Sequence, residues 1–152
     1  MTADPFELQR FRAAQEQGGI YATALAELRA GRKRSHWIWF VFPQIDGLGS
    51  SPIARRYAIR SLDEARAYLA DEVLGPRLRE CCAALLALAA DADGDADATA
   101  VLGAIDALKL RSSMTLFALA APGEPSFTRV LDGYYAGQAD AATERLLAGT
   151  DV

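Results

Sequence analysis

The sequence has little cysteine and histidine, and it has no long apolar run. Its two cysteines, Cys81 and Cys82, are adjacent, so a disulfide between them would be strained and would close almost no loop. With one histidine, the chain lacks the spaced ligand sets of zinc sites, and we predict neither a metal site nor a cofactor. No stretch approaches the roughly 20 apolar residues of a membrane span, and the first residues lack a signal-peptide pattern. We therefore expect a cytoplasmic protein with reduced cysteines and no membrane partner.

Strand-forming sequence is also scarce, because alternating runs rich in valine and isoleucine are absent. The exception is WIWFVF, residues 37–42, whose composition suits a strand or a helix. Since a single strand would have no partner, we predict a buried helix that begins near Ser35 and ends by Pro43. Helical patterns recur along the rest of the chain between turns and loops, with start signals such as Ser51 before Pro52 and Ser61 before Glu64. The sequence thus predicts an all-α fold: one compact domain over residues 1–152, with about seven or eight short helices.

Alternating aspartates mark the segment DADGDAD, residues 91–97, and raise the question of a calcium site. In an EF-hand loop a glycine is sixth and a glutamate is twelfth. Counted from Asp91, Gly94 is fourth and Leu102 is twelfth, so the pattern does not match. We predict a flexible, solvated acidic loop over about residues 91–98.

Basic residues are concentrated in one part of this acidic chain. The formal net charge is −4, yet residues 29–60 contain one acid, Asp46, against seven lysines and arginines: Arg29, Arg32, Lys33, Arg34, Arg55, Arg56 and Arg60. Such a concentration attracts anions, and arginine binds phosphate and carboxylate through a planar fork of donors. The alternative is that the first of these residues only complement the negative end of a helix.

Further candidate residues lie close to the basic segment. His36, the only histidine, is a candidate acid or base, or else a helix cap. Trp37 is the aromatic residue best placed to stack on a ligand, although the WIWFVF aromatics as a group favour a core. On a helix over residues 106–117, Asp106, Lys109 and Ser113 share one side. They either face a cleft or bond to one another and to helix carbonyls.

Four segments together resemble a family of small bacterial proteins of unknown function. They are GRKRSHWIWFVFPQIDGLGSSPIARRYAIRSLDEARAYL, VLGPRLREC, KLRSSMTLF and FTRVLDGYYAGQAD. The resemblance covers nearly the whole chain and implies a compact multihelical domain, with no established activity. Some members carry the label "calpastatin", which does not suit this chain, because calpastatins are disordered and this composition is that of a globular core.

A second similarity, at the level of pattern, is to helical proteins of NAD and ADP-ribose metabolism, which include glycosidases of ADP-ribosyl groups. The matching features are the basic stretch, Glu64 within SLDEARAYL and the lysine of DALKL. This similarity implies that Glu64 or Asp46 acts as an acid or base, or stabilises an oxocarbenium-like centre. The alternative role for Glu64 is the capping box that it forms with Ser61.

The leading hypothesis is a protein that binds, and in one version hydrolyses, a phosphorylated or nucleotide-like small molecule such as an ADP-ribose derivative. Residues 31–44, 46–60 and 106–113 would line the cleft. The candidate catalytic residues are His36, Asp46 and Glu64. The candidate ligand-binding residues are Arg32, Arg34, Trp37, Gln44, Arg56, Lys109 and Ser113. The competing hypothesis is a non-enzymatic interaction module whose basic stretch binds an acidic protein partner or nucleic acid, and the net charge of −4 argues against nucleic acid.

Overall fold

Helices dominate the computed structural model, which describes residues 3–150. The helices are α1 (Gln9–Glu16), α2 (Ile20–Ala30), α3 (Ile38–Val41), α4 (Pro52–Arg56), α5 (Leu62–Ala70), α6 (Leu74–Asp91), α7 (Ala98–Leu102), α8 (Ala104–Ala120), α9 (Pro125–Tyr135) and α10 (Ala141–Thr150). A turn of 3-10 helix, Gln17–Gly19, joins α1 to α2. In residues 3–150 the nearest approach to a sheet is a single parallel bridge between Ile45 and Ile59. The predicted all-α fold is confirmed.

One hydrophobic core joins the helices, and α8 runs through it. Leu110, Met114 and Phe117 are fully buried at the three- and four-residue spacing of one helix face. This helix packs against α5, α7, α9 and α10. No helix within the described part of the chain has both the length and the apolar character of a membrane span.

The predicted helix starts at α4 and α5 are confirmed by side-chain caps. The hydroxyl of Ser51 accepts a hydrogen bond from the backbone N–H of Ala54, and Pro52 is the first residue of α4. The hydroxyl of Ser61 accepts one from the N–H of Glu64 at the start of α5. A capped start of this kind stabilises a helix by about 1 kcal/mol. The sequence patterns do not predict α7, which Asp97 caps through the N–H of Thr99 at the end of the acidic loop.

The WIWFVF segment forms a single turn of helix, and it begins later than predicted. Helix α3 starts at Ile38 rather than near Ser35, and it ends at Val41, before Pro43. The delay has a local cause. Gly31 ends α2 in a left-handed conformation with φ of 77°, and the backbone N–H groups of Arg34 and Ser35 then donate to the Glu27 side chain on α2 instead of starting a helix.

Candidate functional site

The basic segment, residues 31–37, is held against α2 by one carboxylate. Glu27 accepts hydrogen bonds at Oε1 from the backbone N–H groups of Arg34 and Ser35, at 2.8 and 2.9 Å. The Trp37 indole N–H donates to the same oxygen at 3.0 Å, and the Ser35 hydroxyl donates to Oε2 at 2.6 Å. Burial raises the pKa of Glu27, but these hydrogen bonds outweigh burial and lower that pKa to about 2. Glu27 therefore stays ionised at neutral pH and fixes the path of the segment.

Side chains alternate in direction along this segment. Arg32, Arg34 and His36 are exposed, and none of the three makes an ion pair with a described residue. Lys33 and Trp37 point inward, and the Trp37 side chain is fully buried. A fully buried indole has no face for a ligand, so Trp37 is a core residue rather than the stacking residue that we predicted.

Lys33 belongs to the protein interior despite its charge. Its ammonium group lies 2.8 Å from Asp106 Oδ2, bonds to the backbone oxygen of Ser35 and lies 5.0 Å from the ring centre of Trp37. Only 7% of its side chain is exposed. Lys33 therefore joins the basic segment to the first turn of α8.

Lys109 also pairs with Asp106 and lies over a tryptophan, but it is more exposed than Lys33 and its ion pair is longer. Its Nζ lies 3.5 Å from Asp106 Oδ1 and 5.0 Å from the ring centre of Trp39, and 25% of its side chain is exposed. Asp106 is thus shared by two lysine–tryptophan pairs, one buried and one accessible. The predicted pairing of Lys109 with Asp106 is confirmed at the outer limit of a hydrogen bond.

The two lysines provide a matched test of this difference. We expect Lys33→Ala to lower the free energy of unfolding by about 2 kcal/mol, because Asp106 and the Ser35 carbonyl lose a nearly buried partner. Lys109→Ala should cost less than about 1 kcal/mol, as expected for a weakly held and accessible pair. Urea denaturation at neutral pH measures both values. Equal losses in the two variants would contradict the assignment of Lys33 to the interior.

A narrow cleft, which we call the aromatic cleft, opens beside Lys109. It encloses about 330 Å³, including the part open to solvent. Trp39 and Lys109 face it from α3 and α8, and the other lining residues are Ile38, Phe42, Gln44, Ile45, Gly47, Gly49, Ala54, Tyr57 and Ala58. The parallel bridge between Ile45 and Ile59 holds one wall, because Ile59 N–H donates to the Gln44 carbonyl and Asp46 N–H to the Ile59 carbonyl.

A wider cleft, the arginine cleft, lies where the N-terminal segment meets α4 and the start of α5. It encloses about 1190 Å³, including the part open to solvent. Four arginines line it, Arg10, Arg55, Arg56 and Arg60, together with two glutamates, Glu7 and Glu64. The other lining residues are Pro5, Phe6 and Ser61. Positive charge is therefore in excess in this cleft.

Arg10 forms the fixed wall of the arginine cleft. Its guanidinium donates to the carbonyl oxygens of Phe6, Glu7, Arg56 and Ala58, at 2.6, 3.0, 2.8 and 2.8 Å. It also forms a salt bridge of 2.7 Å to Glu64 Oε2. The donors of Arg10 are therefore already used, and its role is to hold the N-terminal segment against α4.

Glu64 has both carboxylate oxygens occupied. Oε2 accepts from Arg10, and Oε1 accepts from the backbone N–H of Arg60 at 3.2 Å. The N–H of Glu64 donates to the Ser61 hydroxyl, which is one half of the predicted capping box, whereas the Glu64 carboxylate accepts from the N–H of Arg60 rather than from that of Ser61. Only 4% of the residue is exposed. The geometry thus supports an anchoring role for Glu64 more directly than a role as acid or base.

The structure does not gather the predicted site residues in one place. Gln44 and Lys109 line the aromatic cleft, whereas Arg56 and Glu64 line the arginine cleft. Arg32, Arg34, His36 and Asp46 line neither cleft and are exposed. Ser113 is fully buried, and its hydroxyl has no hydrogen-bond partner among the described residues. Sequence reasoning missed Arg10, because only the packing of α1 against the start of α5 brings it to the arginine cleft. Trp39 and Tyr57 lie within the predicted lining segments 31–44 and 46–60, but they were not among the candidate binding residues.

Cysteine and metal chemistry receive no support from the described residues. Burial raises the pKa of Cys81 to about 12 and raises that of Cys82 well above its ordinary value, so neither thiol is ionised at neutral pH. Within residues 3–150 no group of three or more His, Cys, Asp and Glu side chains is arranged to hold a metal ion. The residues that line the two clefts carry guanidinium, ammonium, carboxylate, amide and aromatic groups.

Comparison with known proteins places the chain in a family. The model of "Protein of unknown function (DUF1810)" matches residues 5–147. The crystal structure of the conserved hypothetical protein Rv1873 from Mycobacterium tuberculosis is similar, with 50% sequence identity and a TM-score of 0.88. The match covers 95% of this chain and 99% of that chain. Among curated proteins no match is found. The family model matches nearly the whole length of the chain. The chain therefore belongs to the DUF1810 family of proteins of unknown function.

Proposed function

We propose that this protein binds a phosphorylated small molecule and that the arginine cleft takes the phosphate group. The observation that carries the proposal is the charge balance of this cleft. Arg55, Arg56 and Arg60 are exposed and make no ion pair with any described residue. Of the two carboxylates in the cleft, Glu64 is already paired with Arg10. Three arginines without an ion-pair partner among the described residues therefore line the cleft, with only Glu7 to balance their charge. The Arg56 guanidinium also lies over the ring of Tyr57, 5.6 Å from its centre.

Guanidinium groups suit a phosphate better than most other anions. Each presents paired N–H donors in a plane, which matches two oxygens of a phosphate, and charge-assisted hydrogen bonds contribute about 1.5 to 3 kcal/mol each. The fixed Arg10–Glu64 pair supports this proposal, because it holds the segments that carry the free arginines without consuming their donors. Binding in so open a cleft should weaken as salt concentration rises.

The same geometry favours binding over hydrolysis. Glu64 has both oxygens occupied, and Asp46 and His36 lie outside the two clefts. A general acid or base must reach the reacting proton within hydrogen-bond distance. The alternative of an interaction module rests on the exposed Arg32, Arg34 and His36, and the same experiment separates it from ligand binding.

The test is a thermal-shift titration with orthophosphate, pyrophosphate, ribose 5-phosphate and ADP-ribose, with ribose as the uncharged control. A phosphate ligand at 100 times its dissociation constant should stabilise the protein by about 2.7 kcal/mol. We expect Arg55→Gln and Arg60→Gln each to weaken ribose 5-phosphate binding about tenfold, which corresponds to about 1.4 kcal/mol.

The matched control is Arg129→Gln, an exposed arginine on α9 that makes no ion pair with any described residue. It should bind like the unaltered protein. Binding that is unaffected by Arg55→Gln and Arg60→Gln would overturn the site. The interaction module would be favoured by a different pair of results. No phosphate compound would shift the Tm, and an acidic peptide would bind in a strongly salt-dependent way that Arg34→Gln abolishes.

A further inference from the structure

Among the tyrosines, one hydroxyl stands apart. The chain has five tyrosines. Tyr21, Tyr68, Tyr134 and Tyr135 donate their hydroxyls to backbone carbonyls, those of Arg77, Phe40, Leu85 and Ala107. The Tyr57 hydroxyl has no hydrogen-bond partner in the described part of the chain, and Tyr57 lines the aromatic cleft.

The tryptophans and glutamines show the same contrast. The Trp37 indole N–H donates to Glu27, whereas that of Trp39 has no partner within residues 3–150. The buried amide of Gln15 bonds to the Phe40 carbonyl and the Tyr68 hydroxyl. The side-chain amide of Gln44 bonds to no described residue. Trp39 and Gln44 also line the aromatic cleft.

Three polar side chains that have no hydrogen-bond partner among residues 3–150 thus line the same cleft. The rest of the lining is mainly apolar, with Ile38, Phe42 and Ala54 among the walls. An apolar cavity with a few convergent donors and acceptors is the usual form of a small-molecule site. The groups present are an indole donor, a phenol and an amide, and they complement the hydrogen-bonding edge of a flat ring.

Lys109 controls access to the face of Trp39. The interior of the cleft has room for about one water molecule, so a ring can enter only if a side chain moves. Lys109 is the side chain that can move, because its Nζ is held by a 3.5 Å contact to Asp106 Oδ1 and by the cation–π contact with Trp39 that a ring would replace. Asp106 keeps Lys33 at 2.8 Å when Lys109 leaves. A ring would then replace the ammonium group on the indole face, where aromatic stacking and cation–π contacts have similar strength.

We infer that the aromatic cleft is a binding site for a planar heteroaromatic ring, which stacks on Trp39 in place of Lys109 and bonds at its edge to Gln44 and Tyr57. Helix α4 contributes to both clefts, since Ala54 lines the aromatic cleft and Arg55 and Arg56 line the arginine cleft. The class of the whole ligand rests on the proposed function. If the arginine cleft binds a phosphate, the ligand is a phosphorylated heteroaromatic compound of the nucleotide type.

The two tryptophans make this inference directly measurable. Trp37 is fully buried and Trp39 is partly exposed, so acrylamide should quench the fluorescence of Trp39 selectively. We expect adenosine or nicotinamide, but not ribose, to reduce acrylamide quenching in a saturable way. In Trp39→Phe the remaining Trp37 signal should not respond to either ring. Absence of protection by both rings, or an equal response in Trp39→Phe, overturns the inference.

Variants of the edge groups test the hydrogen bonds. Gln44→Ala and Tyr57→Phe should each raise the dissociation constant of the responding ring about tenfold, and Gln17→Ala, an exposed glutamine of the 3-10 turn, should leave it unchanged. Lys109→Ala should tighten ring binding, because it removes the competing ammonium group. Unchanged affinity in all three cleft variants would contradict the site even if Trp39 responds.

Orthophosphate and adenosine separate the two proposals, because each lacks the group that the other cleft binds. Adenosine binding without phosphate binding would support the ring site and reject the proposed function. Phosphate binding without protection of Trp39 by adenosine would support the proposed function and reject the ring site. The nucleotide-type ligand class requires that AMP bind more tightly than adenosine, and that Arg55→Gln weaken AMP but not adenosine. Equal affinities for AMP and adenosine would overturn that class.

Discussion

Replacing Gly75 with alanine is expected to lower the free energy of unfolding by about 3 kcal/mol and the Tm by roughly 10 °C. Gly75 lies in the first turn of α6, where that helix crosses the end of α5. A Cβ atom at this position would lie 2.1 Å from the backbone oxygen of Leu69 and 2.9 Å from Arg79 Nη1. The first contact is with backbone, so relief requires a shift of one helix against the other.

The surroundings of Gly75 resist such a shift. The Leu69 carbonyl accepts a hydrogen bond from Arg79, and Arg79 also pairs with Glu124 at the start of α9. The matched control is Gly149→Ala in α10, where no atom of the described residues outside the adjoining part of that helix lies within 4 Å of the added methyl group. That variant should gain stability, by up to about 1 kcal/mol, because alanine is the better helix former. Urea denaturation of both variants is the measurement, and similar small effects in both would show that α5 and α6 pack less closely than described.

Replacing Glu27 with alanine is the second large expected effect, a loss of about 2 to 3 kcal/mol. The change removes the acceptor for the N–H groups of Arg34 and Ser35, the Ser35 hydroxyl and the Trp37 indole. A polar group deprived of its partner in the folded state costs about 1 to 3 kcal/mol, and solvent access to part of this segment reduces the total. The loss should appear in the urea midpoint at neutral pH.

The isosteric variant Glu27→Gln isolates the charge and predicts a pH dependence. The folded-state pKa of Glu27, about 2, lies below its ordinary value of 4.5. Between these values the unfolded state binds the proton and the folded state does not, so this group's contribution to stability is complete above about pH 4.5 and is lost as the pH falls toward 2. The stability difference between the unaltered protein and Glu27→Gln should therefore shrink from pH 6 to pH 2.5.

Glu144→Gln is the control for that experiment. Glu144 lies in the first turn of α10, is exposed, and its carboxylate bonds to no residue in the described ranges. Its stability difference from the unaltered protein should vary little over the same pH range. A pH-independent difference for Glu27→Gln would show that the carboxylate does not hold the basic segment through its charge.

Some of the site could be read from local sequence because its cause is local. The cap that Ser61 forms with the N–H of Glu64 and the pairing of Asp106 with Lys109 each join residues three positions apart in the chain. Such spacing fixes proximity whatever the rest of the chain does. The excess of arginine in residues 55–60 was equally visible, and those arginines do line a cleft.

Other predictions failed because distant residues decide them. Trp37 and Trp39 are only two positions apart, yet Trp37 is fully buried and donates its indole N–H to Glu27 on α2, whereas Trp39 is partly exposed. The sequence analysis grouped Lys33 with the other basic residues of the segment. In the structure Lys33 is nearly buried in an ion pair with Asp106, which lies over 70 positions later in the chain. The predicted helix began near Ser35, three residues too early. Composition does not reveal that the N–H groups of Arg34 and Ser35 bond to Glu27 on α2.

The sequence by itself determined the all-α class, the helix starts at Ser51 and Ser61 and the charge asymmetry, because periodicity, caps and net charge are properties of short segments. The tertiary structure alone decided which charges are neutralised, since Arg10 meets Glu64 and Lys33 meets Asp106 only when α1, α5 and α8 pack. It also decided which polar groups remain unpaired at the aromatic cleft. Hydrogen bonds and burial depend on three-dimensional proximity, and packing of a whole core is needed to fix that proximity for residues far apart in the chain.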